Sequence, residues 1–479
     1  MNYQDCAVRR YILSPDYALR GWKLLPYAVQ ALQRQQTEFF LKEQWELFSV
    51  CDGQSDIYWD ALTDEQRQYY DHWEKNGFIR RVESGAEDRL LPYQEYRFYP
   101  ARFKERVQWS ITGRCNYRCK HCFMSAPHAA QGEPSWDQLM IMLDAFERCG
   151  VHNLELTGGE PMFRRDFWEL MDEIHRRGLA VTHLYSNGLL VTDAFLDKLE
   201  ERKMRPAIQF SFDGVGHHDW MRGVDGAEKT VVAALERCKE RRIPTSVSMV
   251  VCRESVGSIR ESVNLMASLG VLSMKIGGAT PAGEWLSQPE HYLSRSELYE
   301  AFLEYIPRYF EDGKPLTLGL EGFFNYDKTE GKPGAFFEKN ISEDDFRKAT
   351  MCAHVRRGMY VSPKGRVLPC MSMVGGPIEE QFPNMLETPL EDILDKQSAY
   401  MDIVSFRISD YMEHNPECAE CEYRCACCGG CRALAVQDHP TDYLAKDNMT
   451  CEYFRKGWKA RKDKLLEILE QYAAHASCR

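Results

Sequence analysis

The sequence predicts an α/β protein whose centre is a partial (β/α)6 barrel, flanked by a small α+β domain and by a cysteine-rich domain. Between residues 105 and 312, strand patterns alternate with helical patterns six times, and parallel strands need such crossover helices. The 479 residues correspond to about three domains of ordinary size. Cysteines are concentrated beyond residue 351, which indicates a chemically distinct region at the carboxyl end.

The composition excludes several classes of protein. Hydrophobic residues make up 44% and aromatic residues 12% of the chain, which excludes a mainly disordered protein. The net charge of −12 gives no general attraction to nucleic acids or anionic lipids. No apolar run approaches the roughly 18 residues of a membrane span, and the first ten residues lack a signal-peptide core. We therefore expect a cytoplasmic protein with no nucleic-acid or membrane partner.

The amino-terminal segment, residues 1–100, has the pattern of a small α+β domain. Thr63 is placed to cap a helix that ends near Gly77, and a polar stretch at 83–92 has the composition of a linker. Other predicted elements are strands at 10–13, 22–29, 38–41 and 78–82 and a helix at 42–50.

The central segment, residues 105–312, supplies the barrel. Its first helix has clear ends, because Ser135 and Gln138 form a capping-box pattern and Gly150 follows the last turn. The predicted strands are 107–112, 153–156, 180–186, 207–212, 245–251 and 274–276. Ligands of such barrels bind at the carboxyl ends of the strands. We expect a linker at 313–350, the cysteine-rich domain at 351–455 and a C-terminal helix at 456–479.

Three cysteines follow the first barrel strand within eight residues: Cys115, Cys119 and Cys122. An iron–sulfur cluster normally has four thiolate ligands, so three in one loop leave one iron open to another ligand. Their neighbours in the loop are polar, unlike those of a core segment. The alternatives are a zinc knuckle with a distant fourth ligand and unpaired thiols.

The Cx3CxxC loop after a first barrel strand resembles that of the radical S-adenosylmethionine (SAM) family, and the resemblance covers about residues 105–285. It implies that the three cysteines hold a four-iron cluster whose open iron chelates the amino and carboxylate groups of S-adenosylmethionine. One electron then cleaves the sulfonium and produces a 5′-deoxyadenosyl radical. The cofactor supplies the difficult chemistry, and the protein positions the substrate and excludes water.

Five residues at strand ends are candidates for binding S-adenosylmethionine. Gly158 and Gly159 let the backbone approach a ligand, and Glu160 can accept a hydrogen bond from an ammonium group. The resemblance implies that this turn binds the methionine amino group, that Arg222 pairs with the carboxylate and that Ser186 is a polar contact. The alternatives are an ordinary turn for 158–161 and a surface ion pair for Arg222.

Seven cysteines form a second pattern, which resembles the SPASM domain of radical SAM enzymes over about residues 350–455. Zinc ribbons are the alternative, but seven ligands do not divide into sets of four. The resemblance implies two auxiliary four-iron clusters. The nearer cluster is then held by Cys352, Cys370 and Cys431, and the distal cluster by Cys418, Cys421, Cys427 and Cys451. The five scattered cysteines are expected to be buried: Cys6, Cys51, Cys149, Cys238 and Cys252.

Two departures from the sulfatase-modifying relatives concern the nearer cluster. Those relatives have a further cysteine shortly after the first, but none lies between Cys352 and Cys370. The fourth position is then open to a substrate thiolate, unless Cys425 or Cys428 fills it. Met371 stands where those enzymes place a catalytic Asp, and methionine cannot take a proton.

The missing Asp makes formylglycine formation less favoured. The candidates for a proton acceptor that remain, none of them assigned, are His217, His218, Asp219 and Glu321.

The amino-terminal domain resembles the winged-helix-like leader-recognition domain of peptide-modifying radical enzymes, which binds its peptide by strand addition. Its 12 basic and 16 acidic residues argue against DNA binding. A purely structural extension is the alternative.

The predicted function is radical SAM modification of a ribosomally made precursor peptide with a leader, forming a thioether or carbon–carbon cross-link. The resemblance implies S-adenosylmethionine, three four-iron clusters and an electron donor such as flavodoxin or ferredoxin. The alternatives are oxidation of a protein Ser or Cys, a small-molecule reaction, and a noncatalytic iron–sulfur or zinc protein.

Overall fold

The computed structural model describes residues 6–32, 36–83, 88–280 and 282–477. Its centre is an eleven-stranded sheet. Six neighbouring strands are parallel, and helices follow them in the chain: β9 (Arg106–Ser110), β10 (Asn153–Thr157), β11 (Ala180–Ser186), β12 (Ala207–Ser211), β13 (Thr245–Val251) and β14 (Ser273–Gly278). These are the six predicted barrel strands, each within two residues of its expected ends. The α/β fold class is confirmed.

Helices cover the outer face of this sheet. They are α3 (Trp136–Arg148), α4 (Phe167–Arg176), α5 (Asp193–Glu201), α6 (His218–Arg222), α7 (Ala227–Glu240), α8 (Ile259–Ser268) and α9 (Arg295–Glu311). Ser135 and Gln138 form the expected capping box of α3, and Gly150 adopts a left-handed φ of 73° after its end. Apolar residues of the strands and helices form one continuous core.

The sheet extends beyond the six barrel strands on both sides. On one side are β15 (Thr317–Leu320), which is parallel to β14, and then β16 (Phe324–Asp327) and β17 (Lys332–Gly334). On the other side are β18 (Gly358–Val361), which is parallel to β9, and β19 (Val367–Leu368). The expectation that residues 313–350 are a linker is therefore wrong. Strands of three or four residues containing Gly and Pro are too short to show a clear period.

The amino-terminal domain contains three small sheets with strand orders β1-β6, β2-β7 and β5-β4-β3-β8. Its elements are β1 (Val8–Arg9), β2 (Tyr11–Leu13), β3 (Tyr17–Trp22), β4 (Leu25–Ala31), β5 (Thr37–Phe39), α1 (Lys42–Phe48), β6 (Ile57–Tyr58), α2 (Asp64–Lys75), β7 (Ile79–Arg81) and β8 (Arg97–Tyr99). Thr63 caps α2 as expected. The single strand expected at 22–29 is instead the end of β3, a turn and β4.

The carboxyl-terminal region consists of short helices that bring the cysteines together. They are α10 (His354–Arg357), α11 (Leu390–Asp395), α12 (Ala399–Ser405), α13 (Ile408–His414), α14 (Pro416–Ala419), α15 (Arg424–Cys427), α16 (Arg432–Asp438), α17 (Asn448–Arg455) and α18 (Trp458–Ser477). Among the described residues, no helix combines the length and the apolar character that crossing a bilayer requires. Of the five scattered cysteines, Cys6 is partly exposed and the other four are buried.

Candidate metal and cofactor site

The cysteine loop lies at the carboxyl end of β9, where it is tied to helix α6. The backbone N–H of Arg118 donates to the carbonyl of Arg222 at 3.2 Å, and that of Lys120 donates to Met221 at 2.9 Å. Backbone N–H groups also point at two of the sulfurs, from Tyr117 to Cys115 and from Ala126 to Cys122. Donors of this kind stabilise the negative charge of a thiolate.

Burial controls the ionisation of these thiols. It raises the pKa of Cys115 to about 12, with smaller contributions in the same direction from Glu160, Cys119 and Cys122. The three sulfurs therefore lie close enough to interact, and the metal-free Cys115 is a neutral thiol at pH 7. Iron must displace its proton to bind, so cluster assembly releases protons.

The cysteine loop offers three thiols that interact with one another. In a four-iron cluster each thiolate binds a different iron, and three thiolates leave one iron open. The donor set of three interacting thiols therefore fits the cluster that the sequence predicts.

Gly158 and Gly159 pack the turn after β10 directly against the cysteine loop. A Cβ atom on Gly159 would lie 2.1 Å from the carbonyl oxygen of Arg114, and one on Gly158 would lie 2.3 Å from that of Thr112. The N–H of Gly159 donates to Thr112, and the N–H of Glu160 donates to Arg114, both at 2.9 Å. The space that a side chain would occupy is therefore filled by the cysteine loop, whereas the sequence had suggested space for a ligand.

Glu160 is fully buried and joins this turn to the end of β11. Its Oε2 accepts the backbone N–H of Asn187 at 2.8 Å, and its Oε1 accepts the hydroxyl of Ser186 at 3.2 Å. Burial raises the pKa of Glu160 to about 7, against the lowering effect of these two donors. Asn187 also donates to Asn116 of the cysteine loop at 2.7 Å. Asn187, which follows Ser186 at the end of β11, is thus a further site residue beyond the five candidates from the sequence.

Arg222 reaches the cysteine loop through a buried ion pair. Its Nε lies 2.6 Å from Oδ2 of Asp213, and its Nη1 donates to the Cys119 sulfur at 3.6 Å. Burial alone would raise the pKa of Asp213, but Arg222, His121 and His218 lower it below its ordinary value. The alternative interpretation of Arg222, a surface ion pair, is therefore excluded because the pair is buried. Asp213 ends a strand at the rim, and that position was the only signal of its importance.

The three cysteines assigned to the nearer auxiliary cluster come together from β-strand and helix ends. Burial raises the pKa of Cys370 to about 12, and the neighbouring Cys431 and Cys352 contribute to the increase. The backbone N–H of Cys431 donates to Asp447 at 2.8 Å, which fixes the start of α16. Cys352 and Cys431 are therefore close enough to Cys370 to influence its ionisation.

The four cysteines assigned to the distal cluster line one small cavity: Cys418, Cys421, Cys427 and Cys451. The hydroxyl of Tyr411 lies 3.5 Å from the Cys418 sulfur, and three cations also line the cavity: Arg424, Lys446 and Arg455. A hydroxyl and three cations next to four thiols suit a negatively charged iron–sulfur centre.

Cys425 and Cys428 have hydrogen-bond partners outside the nearer group. The Cys428 thiol is buried and donates to the carbonyl of Cys425 at 3.2 Å. The Cys425 thiol faces Glu343, at 3.8 Å. Both pack with the apolar cluster around Met351.

A polar cavity of about 350 Å3 inside the barrel opens onto Cys370. The hydroxyl of Tyr185 donates to Glu155 at 2.9 Å, and Arg106 lies 3.5 Å from the same carboxylate. Arg106 also lies 2.9 Å from the His354 ring. The cavity joins the interior of the barrel to the nearer auxiliary group.

Two family models match the chain in the regions just described. Residues 109–266 match the radical SAM superfamily, and residues 352–426 match the SPASM iron-sulfur cluster-binding domain. The chain therefore contains a radical SAM domain followed by a SPASM domain.

Curated relatives of this radical SAM enzyme have different named activities. The AdoMet-dependent heme synthase of Nitratidesulfovibrio vulgaris is 26% identical over 72% of this chain and 92% of its own length. The PqqA peptide cyclase of Gluconobacter oxydans is 28% identical over 68% of this chain and 85% of its own.

Solved structures share the fold of the enzyme. Streptococcus suis SuiB, solved bound to its precursor peptide SuiA, superposes with a TM-score of 0.62 at 16% identity. The superposition covers 92% of this chain and 100% of SuiB. It must therefore include most of the amino-terminal domain as well as the barrel and the SPASM domain.

Proposed function

We propose that this radical SAM enzyme modifies a ribosomally made precursor peptide. The observation that carries the proposal is the amino-terminal domain, because the fold of SuiB, which was solved with a precursor peptide, matches this chain through that domain. A barrel and an auxiliary-cluster domain can act on a small molecule without a further amino-terminal domain. A domain of short sheets with open edges suits an extended peptide.

The cysteine loop of Cys115, Cys119 and Cys122 would hold the radical SAM cluster. When bound, the cluster and S-adenosylmethionine supply a 5′-deoxyadenosyl radical that removes a hydrogen atom from the peptide. The turn at Gly158–Glu160, together with Ser186, would bind the methionine amino group. Arg222 would hold the methionine carboxylate, with Asp213 fixing its guanidinium beside Cys119.

The SPASM domain would hold two auxiliary four-iron clusters, the nearer on Cys352, Cys370 and Cys431 and the distal on Cys418, Cys421, Cys427 and Cys451. Because Cys425 and Cys428 have other hydrogen-bond partners, the nearer group would offer three thiols. A substrate thiolate in the barrel cavity that reaches Cys370 would complete the set. This arrangement favours thioether formation, with a carbon–carbon cross-link as the alternative product.

Electrons would enter beside Cys119. A surface cleft of about 410 Å3 reaches this residue, and the charged residues or histidines that line it are Arg118, Lys120, His128 and Glu284. Arg118 and Lys120 suit an acidic donor of the flavodoxin or ferredoxin type. We also propose a reducing compartment, the cytoplasm, because every cysteine of the described ranges is a free thiol.

The test is anaerobic reconstitution with iron and sulfide, followed by S-adenosylmethionine and dithionite. Three four-iron clusters give about twelve irons per chain, and 5′-deoxyadenosine should be released. Incubation with the short peptides encoded beside the gene should then give a product two hydrogens lighter. The Cys119→Ala variant should release no 5′-deoxyadenosine. Unaltered release by this variant would overturn the assignment of the cysteine loop.

A second candidate is a small-molecule reaction of the heme synthase type, because three of the curated relatives carry that name. The barrel cavity of about 350 Å3 is small and polar for a porphyrin. Supplying porphyrin substrates to the reconstituted enzyme distinguishes the two candidates, since formation of heme would favour the second.

A further inference from the structure

A large groove lies between the amino-terminal domain and the barrel. Its volume is about 1400 Å3. One wall is the face of β3, β4 and β8 that carries Arg20, Gln30 and Arg97. The other wall is formed by the segments that enter β10, β11 and β12. The groove is therefore at the amino ends of the barrel strands, opposite the cysteine loop.

The charge of the groove is opposite to that of the protein. The chain has a net charge of −12. The basic residues lining the groove are Arg20, Arg97, Arg148, Arg176, Arg177, Lys203 and Arg205, and the acidic ones are Asp16, Asp144 and Glu147. This local excess of positive charge creates a potential that attracts anions.

Part of this charge is already neutralised. Arg148 pairs with Glu391, Arg176 pairs with Glu173, and Arg177 pairs with three carboxylates. Within the described ranges, the other four have no carboxylate within ion-pair distance: Arg20, Arg97, Lys203 and Arg205. Only Asp16 opposes them as an unpaired acid. The uncompensated charge lies on both walls of the groove.

The positive charge of Arg20 is not neutralised by an acidic side chain of the protein. Its guanidinium donates to the neutral carbonyls of Leu19, Tyr93 and Glu95. Burial lowers the pKa of Arg20, and the nearby Arg97 lowers it further. Two guanidinium groups close enough to repel each other are stabilised by an anion placed between them.

The groove also offers backbone N–H and C=O groups for hydrogen bonding. β8 is at the end of the strand order β5-β4-β3-β8 and pairs with β3 on one side. An edge strand presents free N–H and C=O groups to an added strand. Arg97 and Tyr99 of this edge strand line the groove. An extended peptide with a carboxylate at every second residue could therefore pair with the edge strand and contact the basic residues of the groove.

We propose that this groove binds an acidic, extended segment of the precursor peptide. The inference rests on the proposed function and adds to it a docking place and a charge class for the leader. Carboxylate side chains would contact Arg97 on one wall and Lys203 and Arg205 on the other. The peptide would reach the cysteine loop by running from the amino ends of the strands to their carboxyl ends.

The test uses fluorescence anisotropy with labelled model peptides of about ten residues. The test peptide has a sequence of alternating Glu and Thr, and the control peptide has a sequence of alternating Gln and Thr. The wild-type protein should bind the Glu peptide about tenfold more tightly, with an affinity that falls as salt is added. The triple variant Arg97→Glu/Lys203→Glu/Arg205→Glu should lose this preference.

A matched triple variant reverses three exposed cations outside the groove: Arg347→Glu/Lys364→Glu/Lys464→Glu. It should bind the Glu peptide as the wild type does. Circular dichroism and iron content establish that both variants are folded. Equal binding of the Glu and Gln peptides by the wild type, or an equal loss in both triple variants, would overturn the proposal.

A labelled oligothymidylate of similar charge serves as the competing polyanion. Binding at least as tight as that of the Glu peptide would mean that the groove recognises nucleic acid and would also overturn the proposal. None of these measurements depends on S-adenosylmethionine cleavage. Their failure would therefore leave the proposed peptide modification standing, and failure of that function would leave the binding result intact.

Discussion

At the scale of single residues, Glu160 is the carboxylate with the clearest pH dependence. Burial raises its pKa to about 7, whereas an unfolded chain ionises it near pH 4.5. Its contribution to stability is therefore full below pH 4.5 and is lost as pH rises through about 7. Between pH 6 and 8, we expect the wild type to lose about 1–2 kcal/mol relative to Glu160→Gln.

Urea denaturation of the metal-free protein at the two pH values measures this difference. The comparison with Glu160→Gln cancels the titration of every other group. A variant with the same pH dependence as the wild type would contradict the burial of an ionisable Glu160.

The Asp213–Arg222 pair gives a second prediction at the residue scale. Both side chains are buried, with Nε and Oδ2 2.6 Å apart. Removing one charge of a buried pair leaves the other without compensation, which costs about 3–5 kcal/mol. Asp213→Asn should therefore lower the free energy of unfolding by about this amount. Asp225→Asn, an exposed control, should change it by less than about 0.5 kcal/mol.

At the scale of structural elements, the turn after β10 depends on Gly159. A Cβ atom there would meet the backbone of the cysteine loop at 2.1 Å, and backbone cannot move aside cheaply. Gly159→Ala should therefore push the loop away and reduce iron at the radical SAM site by more than half. Gly257→Ala is the matched control, because its Cβ would meet no atom within 4 Å. Iron analysis after reconstitution measures the effect, and equal iron in both variants would contradict the packing.

The nearer auxiliary group gives a second prediction at this scale. Cys370→Ala should remove a ligand and lower the iron content by about four atoms per chain. Cys425→Ala and Cys428→Ala should each leave the iron content near that of the wild type, because both thiols face other partners. A loss of about four irons in either of them would identify that residue as the fourth ligand instead.

The elements with a strong period could be predicted from the sequence, and the short ones could not. The six barrel strands and the capping of α3 follow from runs of five or more residues and from Ser135 with Gln138. β15 to β19 have two to four residues each, and sheet pairing determines them more than local preference does. The packing role of Gly159 also needed coordinates, because a glycine pair alone does not show what fills the space beside it.

At the scale of the whole molecule, the order of the barrel and the SPASM domain was evident from cysteine spacing, and the family comparison confirms both. The resemblance to the family was enough to assign the cysteines to three groups. The partners of Arg222 and Glu160 could not, because they come from elements far apart in the chain. The groove at the opposite end of the barrel was also hidden, since its walls come from two domains.

The positions of the groove and the cysteine loop set a minimum length for the substrate. They lie at opposite ends of the same strands, and the seven residues of β11 span about 20 Å. A peptide anchored in the groove needs at least six or so extended residues between its anchor and the atom that reacts. Shortening this spacer should abolish the reaction abruptly. Removing the anchor should instead raise KM and spare kcat, because it lies outside the transition state.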